Sequence, residues 1–156
     1  MVKNCMKKNV VSISETATIL EAASLIVNRH VGIIPVINDK KELVGTIGLH
    51  DLLSLEMPAF FNLIIDLDFV GDFGAVETTR PSFSEVSRPI NTIMQPPRAV
   101  SEDDGMLYTY ALMTKHNLSD LPVVSSSGQL VGIVSKVDIA AEILSGWKEI
   151  KESESS

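Results

Sequence analysis

Two stretches of the 156-residue chain repeat one another at a constant offset of 87 positions. The stretch that begins at residue 13 aligns without a gap with the stretch that begins at residue 100. Agreement falls on proline, glycine and aspartate, which have specific backbone or polar roles. The matched pairs are Pro35 with Pro122, Gly45 with Gly132 and Asp51 with Asp138. The chain is a tandem duplication, so its fold must be built from two copies of one unit.

Each copy begins with the pattern of a short strand followed by a helix. Apolar runs at residues 9–13 and 98–100 predict the strands. Serine followed by acidic residues, at Ser14 and Ser101, is typical of helix N-caps, so we expect the helices to begin there.

Each copy continues with two apolar runs joined by a polar four-residue turn, which predicts a β-hairpin. The runs are residues 33–37 and 43–47 in the first copy, and 121–124 and 130–134 in the second. A second helix follows, and we expect the aspartate of each copy to open it. One such unit leaves an apolar sheet face exposed. We therefore predict an α+β (α/β) fold in which two β-α-β-β-α units pack through their sheets.

The repeats divide the chain into four parts. The first copy occupies residues 1–57 and the second residues 88–148, while residues 58–87 form an inserted linker. The apolar density of the linker predicts a partly helical segment that covers the core or makes a subunit interface, and we favour the interface. The polar tail, residues 149–156, is expected to be disordered.

Composition and charge narrow the class of protein. The formal net charge is −7, which argues against a nucleic-acid surface. The N-terminus lacks the apolar core of a signal peptide, and no apolar stretch is long enough to span a membrane. The single cysteine, Cys5, excludes an internal disulfide and fits a reducing compartment. We expect a cytoplasmic protein.

Catalytic and metal-binding patterns are missing from the sequence. There is no G-x-S-x-G, P-loop, G-x-G-x-x-G or C-x-x-C motif. His30, His50 and His116 do not have metal-ligand spacing. The basic residues near His30 and His116 have two interpretations, a contact to phosphate and a favourable charge at a helix C-terminus. We expect a protein that is not an enzyme and has no metal site.

Both copies carry the same longer motif. It consists of an apolar stretch before Pro-Val, a polar turn, an aliphatic-Gly pair, and Ser/Thr-x-x-Asp at the last helix. It reads GIIPVINDKKELVGTIGLHDLL from Gly32 and SDLPVVSSSGQLVGIVSKVDIA from Ser119. An Ile-Met lead-in precedes the second copy at Met94, and a weaker one precedes the first at Met6. Both copies resemble the cystathionine-β-synthase-type (CBS) motif, of which a tandem pair is called a Bateman module.

This resemblance implies a regulatory module with two clefts between the motifs, where adenosine nucleotides or S-adenosylmethionine bind. It implies that the helix-opening aspartate accepts hydrogen bonds from ribose hydroxyls, and that the Ser or Thr three residues earlier contacts ribose or phosphate. A carboxylate has the lone pairs for both hydroxyls. The resemblance also implies a homodimer. We expect no required cofactor, and the resemblance implies that the adenosine compound is a regulatory ligand.

Two sites follow from the resemblance. Site A takes its residues from the second copy's last strand and helix and from the first copy's opposite wall. They are Asp138, Ser135, Ile133, Asn9, Val10, Val11, Ile33 and Ile34. Site B is the pseudo-symmetric counterpart. Its residues are Asp51, Ile47, Gly48, Arg98, Ala99, Ser119, Asp120 and Leu121, with Pro97 beside them.

Several alternatives remain open at this stage. Asp51 and Asp138 have a purely helix-capping interpretation. Gly48 removes a hydroxyl from site B, Asp120 adds a carboxylate, and Arg98 offers a phosphate partner, so site B is either empty or selects a different ligand. We expect a ligand sensor that signals in trans. The alternative is a ligand-free scaffold or dimerisation module that binds a partner protein.

Overall fold

The computed structural model describes residues 1–56 and 80–151. The prediction of a packed helix in the linker falls largely on residues 57–79, which lie outside the described residues, as do residues 152–156 of the predicted disordered tail.

The two repeats have the same order of elements. In the first, β1 is Ile13–Ser14, α1 is Ile19–Arg29, β2 is Ile33–Ile37, β3 is Leu43–Gly48 and α2 is Leu49–Leu53. A four-residue helix, α3, spans Phe83–Val86. In the second, β4 is Val100–Ser101, α4 is Met106–Lys115, β5 is Asp120–Val124, β6 is Leu130–Ser135 and α5 is Lys136–Ser145. Short 3-10 helices span Val2–Asn4, Ile90–Thr92 and Gly146–Glu149.

Each repeat forms its own three-stranded sheet. The first has the order β1-β2-β3 and the second the order β4-β5-β6. In both, the first two strands are parallel and the hairpin is antiparallel. The hairpins also share an irregularity of register, between Val36 and Ile37 and between Val123 and Val124. The predicted α+β fold of two equivalent units is confirmed.

The starts of the first strand and first helix of each repeat were predicted wrongly. Residues 9–12 and 98–99 are not strand, because β1 and β4 contain only two residues each. Helix α1 begins four residues later than predicted, at the N-cap Thr18, whose hydroxyl forms a capping box with Glu21. Ser14 and Ser101 instead accept hydrogen bonds from backbone amides two residues on, which closes turns before the helices.

The segment before the first strand of each repeat, residues 2–12 and 90–99, is called its lead-in. Each lead-in packs on the other repeat. The Val2 amide donates to the carbonyl of Asp104 at 2.8 Å, and the Ile90 amide donates to that of Ala17 at 2.8 Å. Further along, Lys7 exchanges both backbone hydrogen bonds with Ile133. The second lead-in makes the same exchange between Gln95 and Thr46, at 2.9 and 3.1 Å.

The crossed lead-ins divide the core between the repeats. Val2 is fully buried among residues of the second repeat, and Ile90 among residues of the first. Each repeat therefore has its own core cluster. The other members of the second repeat's cluster are Val100, Met113, Leu121, Val123, Val134 and Ile139. The rest of the first comprises Ile19, Ala22, Ile34, Val36 and Ile47. Because each cluster needs an anchor from the other repeat, the two halves depend on each other to exclude water.

The hairpin turns add a second connection between the repeats. The Leu43 amide donates to the Gly128 carbonyl at 3.1 Å, and the Leu130 amide donates to the Lys41 carbonyl at 3.0 Å. Gln129 Nε2 donates to the Lys40 carbonyl at 3.0 Å. The relative position of the two sheets is therefore held at their turns as well as at the lead-ins.

The glycine of each Leu-Val-Gly triplet lies where a lead-in crosses the sheet. A Cβ on Gly45 would lie 2.6 Å from Met94 Sδ and 2.8 Å from the Gln95 carbonyl oxygen. On Gly132 the distances would be 2.6 Å to Met6 Sδ and 3.0 Å to the Lys7 carbonyl oxygen. The repeated glycine is therefore explained by the close approach of another backbone.

We predict that Gly45→Ala lowers the free energy of unfolding by about 1–3 kcal/mol, because the Gln95 carbonyl cannot move without breaking the hydrogen bond that it accepts from the Thr46 amide. Urea titration of the full chain measures the change. Gly146→Ala is the matched control, since a Cβ there meets nothing within 4 Å. Equal stability of the two variants would contradict the close-approach explanation.

Candidate ligand-binding clefts

Two clefts open where the lead-ins cross the sheets. The first, cleft A, has a volume of about 320 Å³. It is lined by Lys7, Asn9, Val11, His30, Val31, Gly32, Ile33, Asp120 and Ile133. Of the residues predicted for site A, Asn9, Val11, Ile33 and Ile133 lie in its wall. The lining has aliphatic and polar side chains in equal number, so it offers both an apolar surface and hydrogen-bonding groups to a small organic ligand.

The capping box of α5 lies beside cleft A. The Asp138 amide donates to Ser135 Oγ at 3.0 Å, and the Ser135 amide donates to Asp138 Oδ2 at 3.1 Å. The N-cap is Ser135, and Asp138 is the third residue of the helix, so the prediction that aspartate opens the helix was wrong by three positions. The second carboxylate oxygen, Oδ1, lies 3.9 Å from Lys7 Nζ. Among the described residues this oxygen has only that long ion pair, and it keeps lone pairs for another donor.

The second cleft, cleft B, is the pseudo-symmetric counterpart and has a volume of about 390 Å³. It is lined by Ile33, Thr46, Gln95, Pro96, Pro97, Arg98, Leu118, Asp120, Leu121 and Pro122. Pro97, Arg98, Asp120 and Leu121 were predicted for site B, and the structure brings them together.

The aspartate beside cleft B is more fully engaged than Asp138. Asp51 Oδ2 accepts from the Gly48 amide at 2.7 Å, and Oδ1 accepts from Gln95 Nε2 at 2.9 Å. Asp51 is the third residue of α2, whose N-cap Gly48 has no hydroxyl to complete the box. A ligand hydroxyl at Asp51 must therefore share the carboxylate with Gln95 or displace it.

The remaining predicted residues are placed outside the two clefts. Ile34 and Ile47 have no exposed surface and belong to the core behind the walls. Val10 lines a separate depression of about 420 Å³ next to cleft A, together with Asn9, Val11, Ser12, Leu25 and Arg29. Ala99 and Ser119 flank lining residues of cleft B, and Ser119 Oγ donates to Asp120 Oδ2 at 3.1 Å.

Lys7 and Gln95 are site residues that the sequence reasoning missed. They occupy equivalent places in the two lead-ins, yet they are 88 positions apart, whereas the motifs repeat at 87. The one-residue difference removes them from the gapless alignment. The signal that would have found them is the pair of methionines, because Met6 and Met94 also differ by 88 positions and precede Lys7 and Gln95 directly.

Cys5 lies beside the capping box of α5 and packs against the second core cluster. Burial raises the pKa of the Cys5 thiol, and the negative charges of Asp138 and Glu142 raise it further. A raised pKa keeps the sulfur protonated and weakly nucleophilic. This environment gives the thiol a packing role.

Neither a metal site nor a membrane span is found in the described residues. Within residues 1–56 and 80–151, no three His, Cys, Asp or Glu side chains group as metal ligands. Across the same ranges, no helix combines the length and the apolar character needed to cross a bilayer.

We predict that Gly48→Ser raises the free energy of unfolding by about 0.5–1 kcal/mol, because it supplies the hydroxyl that Ser135 supplies to α5 and restricts the unfolded chain. There is room, since a Cβ on Gly48 meets no atom closer than 3.5 Å. Thermal unfolding measures the gain. Gly48→Ala is the control, which restricts the chain without capping the helix, and a larger gain for alanine than for serine would overturn the prediction.

Curated proteins from archaea and a plant resemble the chain at low identity. It is 27% identical over 143 residues to homoserine O-acetyltransferase of Methanococcus vannielii, and 26% identical over 147 residues to the uncharacterized protein MJ1225 of Methanocaldococcus jannaschii. It is also 26% identical to the CBS domain-containing protein CBSX2, chloroplastic, of Arabidopsis thaliana. The chain is covered to 92%, 94% and 94% in these matches, but it spans only 25%, 44% and 64% of the relatives' own lengths.

Solved structures share the fold at identities below 25%. CBSX2 in complex with AMP superposes with a TM-score of 0.69 at 24% identity, covering 92% of this chain and 96% of that one. The CBS domain pair of protein MJ0100, in complex with 5′-methylthioadenosine and S-adenosyl-L-methionine, superposes with a TM-score of 0.64 at 23% identity. That match covers 96% of this chain and 98% of the other.

The comparison with protein families matches each of the two repeats separately. The model of the CBS domain matches the chain twice, at residues 2–57 and 90–145. Each match begins at a lead-in that crosses to the other repeat and ends in or beyond the helix that carries the aspartate. On these two matches, which cover most of the sequence, the chain belongs to the CBS domain family as a tandem pair.

Proposed function

We propose that the chain is a regulatory module that binds adenosine-containing ligands in clefts A and B and does not transform them. The observation that carries the proposal is the pair of clefts at the junction of the repeats, each next to a helix-start aspartate. Their volumes of about 320 and 390 Å³ fall within the range of about 300–1,000 Å³ that small-molecule sites occupy.

The ligand class is supported by what the clefts offer and by the structural neighbours. AMP, S-adenosylmethionine and 5′-methylthioadenosine, the ligands of those neighbours, have a purine and a ribose in common. The aliphatic and proline residues of the walls suit the flat face of a purine. Asp138 Oδ1 suits the ribose, because a charged acceptor forms a stronger hydrogen bond to a hydroxyl than a neutral one does.

Binding at these positions has a direct route to a signal. Each cleft is lined by a lead-in from one repeat and a hairpin from the other, so a ligand contacts both halves at once. A ligand that binds one relative orientation better than another shifts the population toward it. We propose that this shift is read by a partner in trans, in the cytoplasm.

We predict that Asp138→Ala weakens the binding of AMP or S-adenosylmethionine to cleft A by about 1.5–3 kcal/mol, or about 10- to 150-fold in Kd. The reason is the loss of the acceptor at Oδ1. Isothermal titration of the full chain measures the change.

Glu21→Ala is the matched control for this substitution. It removes the carboxylate of the capping box of α1. Glu21 lines neither cleft. The control should lose about 1 kcal/mol of stability and bind with unchanged affinity. Equal affinities for Asp138→Ala and the native chain would show that Asp138 caps α5 and does not bind the ligand. Absence of binding to the native chain at millimolar ligand would sink the sensor and favour a scaffold that binds a partner protein.

We also propose that the module pairs with a second copy through the outer faces of its helices. A groove of about 400 Å³ is lined by Leu107, Tyr110, Ala140, Ile143, Leu144 and Trp147. Leu107 and Trp147 remain 71% and 62% exposed. The first repeat exposes Leu20 and Val27 on the equivalent helix α1. Exposed apolar faces on both repeats favour a symmetric dimer, because a two-fold axis places the same surface of two chains against each other.

We predict that Leu107→Glu weakens this self-association about tenfold or more, because the charge enters the apolar contact once from each copy. Sedimentation velocity over a range of concentrations measures the dimer constant. Ser126→Glu is the control, as Ser126 is exposed in the turn of the second hairpin and lies outside both the groove and the linker. A native chain that sediments as a monomer at all concentrations, or an unchanged constant for Leu107→Glu, would contradict the proposal.

A further inference from the structure

The two clefts differ in the side chain that meets the helix-start aspartate. Lys7 lines cleft A and Gln95 lines cleft B, and neither aspartate is itself among the lining residues. The two lead-in residues occupy equivalent places, because each exchanges two backbone hydrogen bonds with the last strand of the other repeat. The backbone plan is the same in both clefts, so the type of side chain at this place makes the difference.

Gln95 occupies the aspartate of cleft B. Its Nε2 donates to Asp51 Oδ1 at 2.9 Å, and Oδ2 accepts from the Gly48 amide at 2.7 Å. Both carboxylate oxygens thus have a donor at hydrogen-bond distance. A hydroxyl that approaches Asp51 from the cleft meets the Gln95 side chain first, because Gln95 lines the cleft and Asp51 does not.

Asp138, beside cleft A, has no such cover among the described residues. Its Oδ2 accepts from the Ser135 amide at 3.1 Å, but Lys7 Nζ lies 3.9 Å from Oδ1, which is beyond hydrogen-bond distance. The Lys7 side chain is 68% exposed, so its ammonium group is largely hydrated. Asp138 Oδ1 can therefore accept from a ligand without first losing a hydrogen bond to the protein.

The charges of the walls do not account for this difference when the ligand is neutral. The charged or titratable side chains in the linings are Lys7 and His30 in cleft A, Arg98 in cleft B, and Asp120 in both. They act mainly on a ligand that carries charge, and adenosine carries none. The hydroxyl of Ser135, which Gly48 lacks, is a second polar difference, but a change at Gln95 leaves it as it is.

We propose that Gln95 is a specificity residue whose side-chain amide occupies Asp51, so that cleft A fills at lower concentrations of an adenosine compound and cleft B at higher ones. The inference rests on the proposed function, because it assumes that ribose hydroxyls bind the helix-start aspartates. The module then responds to one ligand over two ranges of concentration.

The expected size of the effect follows from the exposure of Gln95. A ribose hydroxyl at Asp51 replaces the amide, and the exposed amide returns to water. One hydrogen bond is exchanged for others, so the cost is a fraction of a full hydrogen bond to a buried charge. We expect the amide to weaken binding in cleft B by about three- to tenfold in Kd.

The two clefts can be titrated separately in one sample. Of the two clefts, Val31 lines only cleft A, and its equivalent Leu118 lines only cleft B. NMR of the full chain with labelled valine and leucine methyl groups therefore gives one Kd for each cleft. The probe is adenosine, which has both ribose hydroxyls and no charge. We expect the Val31 signals to saturate at lower adenosine concentrations than the Leu118 signals.

The decisive variant is Gln95→Met, which keeps the length of the side chain and removes the donor. It should lower the Kd of cleft B for adenosine about three- to tenfold. Gln129→Met is the matched control, because Gln129 Nε2 also donates across the repeats, to the Lys40 carbonyl at 3.0 Å, and lies outside both clefts. The control should keep both native Kd values.

Two further measurements distinguish the release of Asp51 from an apolar contact made by the new methionine. 2′,3′-Dideoxyadenosine lacks both ribose hydroxyls, so Gln95→Met should not improve its binding, whereas an apolar contact would. In the Asp51→Ala chain, adding Gln95→Met should also give no gain, because there is no carboxylate to release. The dideoxyadenosine measurement does not depend on the folding of the Asp51→Ala chain.

Four outcomes would overturn the inference while leaving the sensor intact. They are Leu118 signals that saturate before those of Val31 in the native chain, an unchanged Kd of cleft B in Gln95→Met, an equal gain for 2′,3′-dideoxyadenosine, and a gain that persists in a folded Asp51→Ala chain. If adenosine shifts neither set of signals in the native chain, the proposed function fails, and this inference fails with it.

Discussion

The exchange of lead-ins between the repeats is the interaction on which the rest of the structure depends. Lys7 pairs with Ile133, and Gln95 pairs with Thr46, through two backbone hydrogen bonds each. These pairs bring Val2 and Ile90 into the core of the opposite repeat. They also create the clefts, because the residues that follow each pair run along the other repeat's sheet. Folding and site formation are therefore one event, since neither repeat can complete its core or its cleft alone.

The two halves share a backbone plan and differ in the chemistry placed on it. The same capping position is Ser135 in one and Gly48 in the other, and the same lead-in position is Lys7 in one and Gln95 in the other. The position that lines both clefts is Ile33 in the first repeat and Asp120 in the second. A backbone held by glycine, proline and buried aliphatic residues tolerates such changes, because the polar positions lie at cleft surfaces and not in the core. Duplication can thereby supply two sites of one shape with different electrostatics.

Local patterns predicted the hairpins closely and the first helices poorly. The apolar runs and the turn chemistry of residues 33–47 and 121–134 specify strands because side-chain and turn preferences act over a few residues. Ser14 and Ser101 misled the prediction because serine closes turns by the same hydrogen bond with which it caps helices. The cap of α1 is Thr18, and its capping box with Glu21 was readable in the sequence.

By itself, the sequence determined that the fold is a pair of equivalent α+β units, and it identified Asp138 and Ser135 beside one cleft and Arg98 and Asp120 in the other. The fold followed from proline, glycine and aspartate recurring at one spacing, whereas the site residues were implied by the resemblance to the CBS motif. Only the tertiary structure decided that Ile34 and Ile47 lie in the core, that Lys7 lies near Asp138 while Gln95 donates to Asp51, and that Asp120 lines both clefts. These facts depend on contacts between residues about 45 to 130 positions apart, and no periodicity or local propensity encodes such contacts.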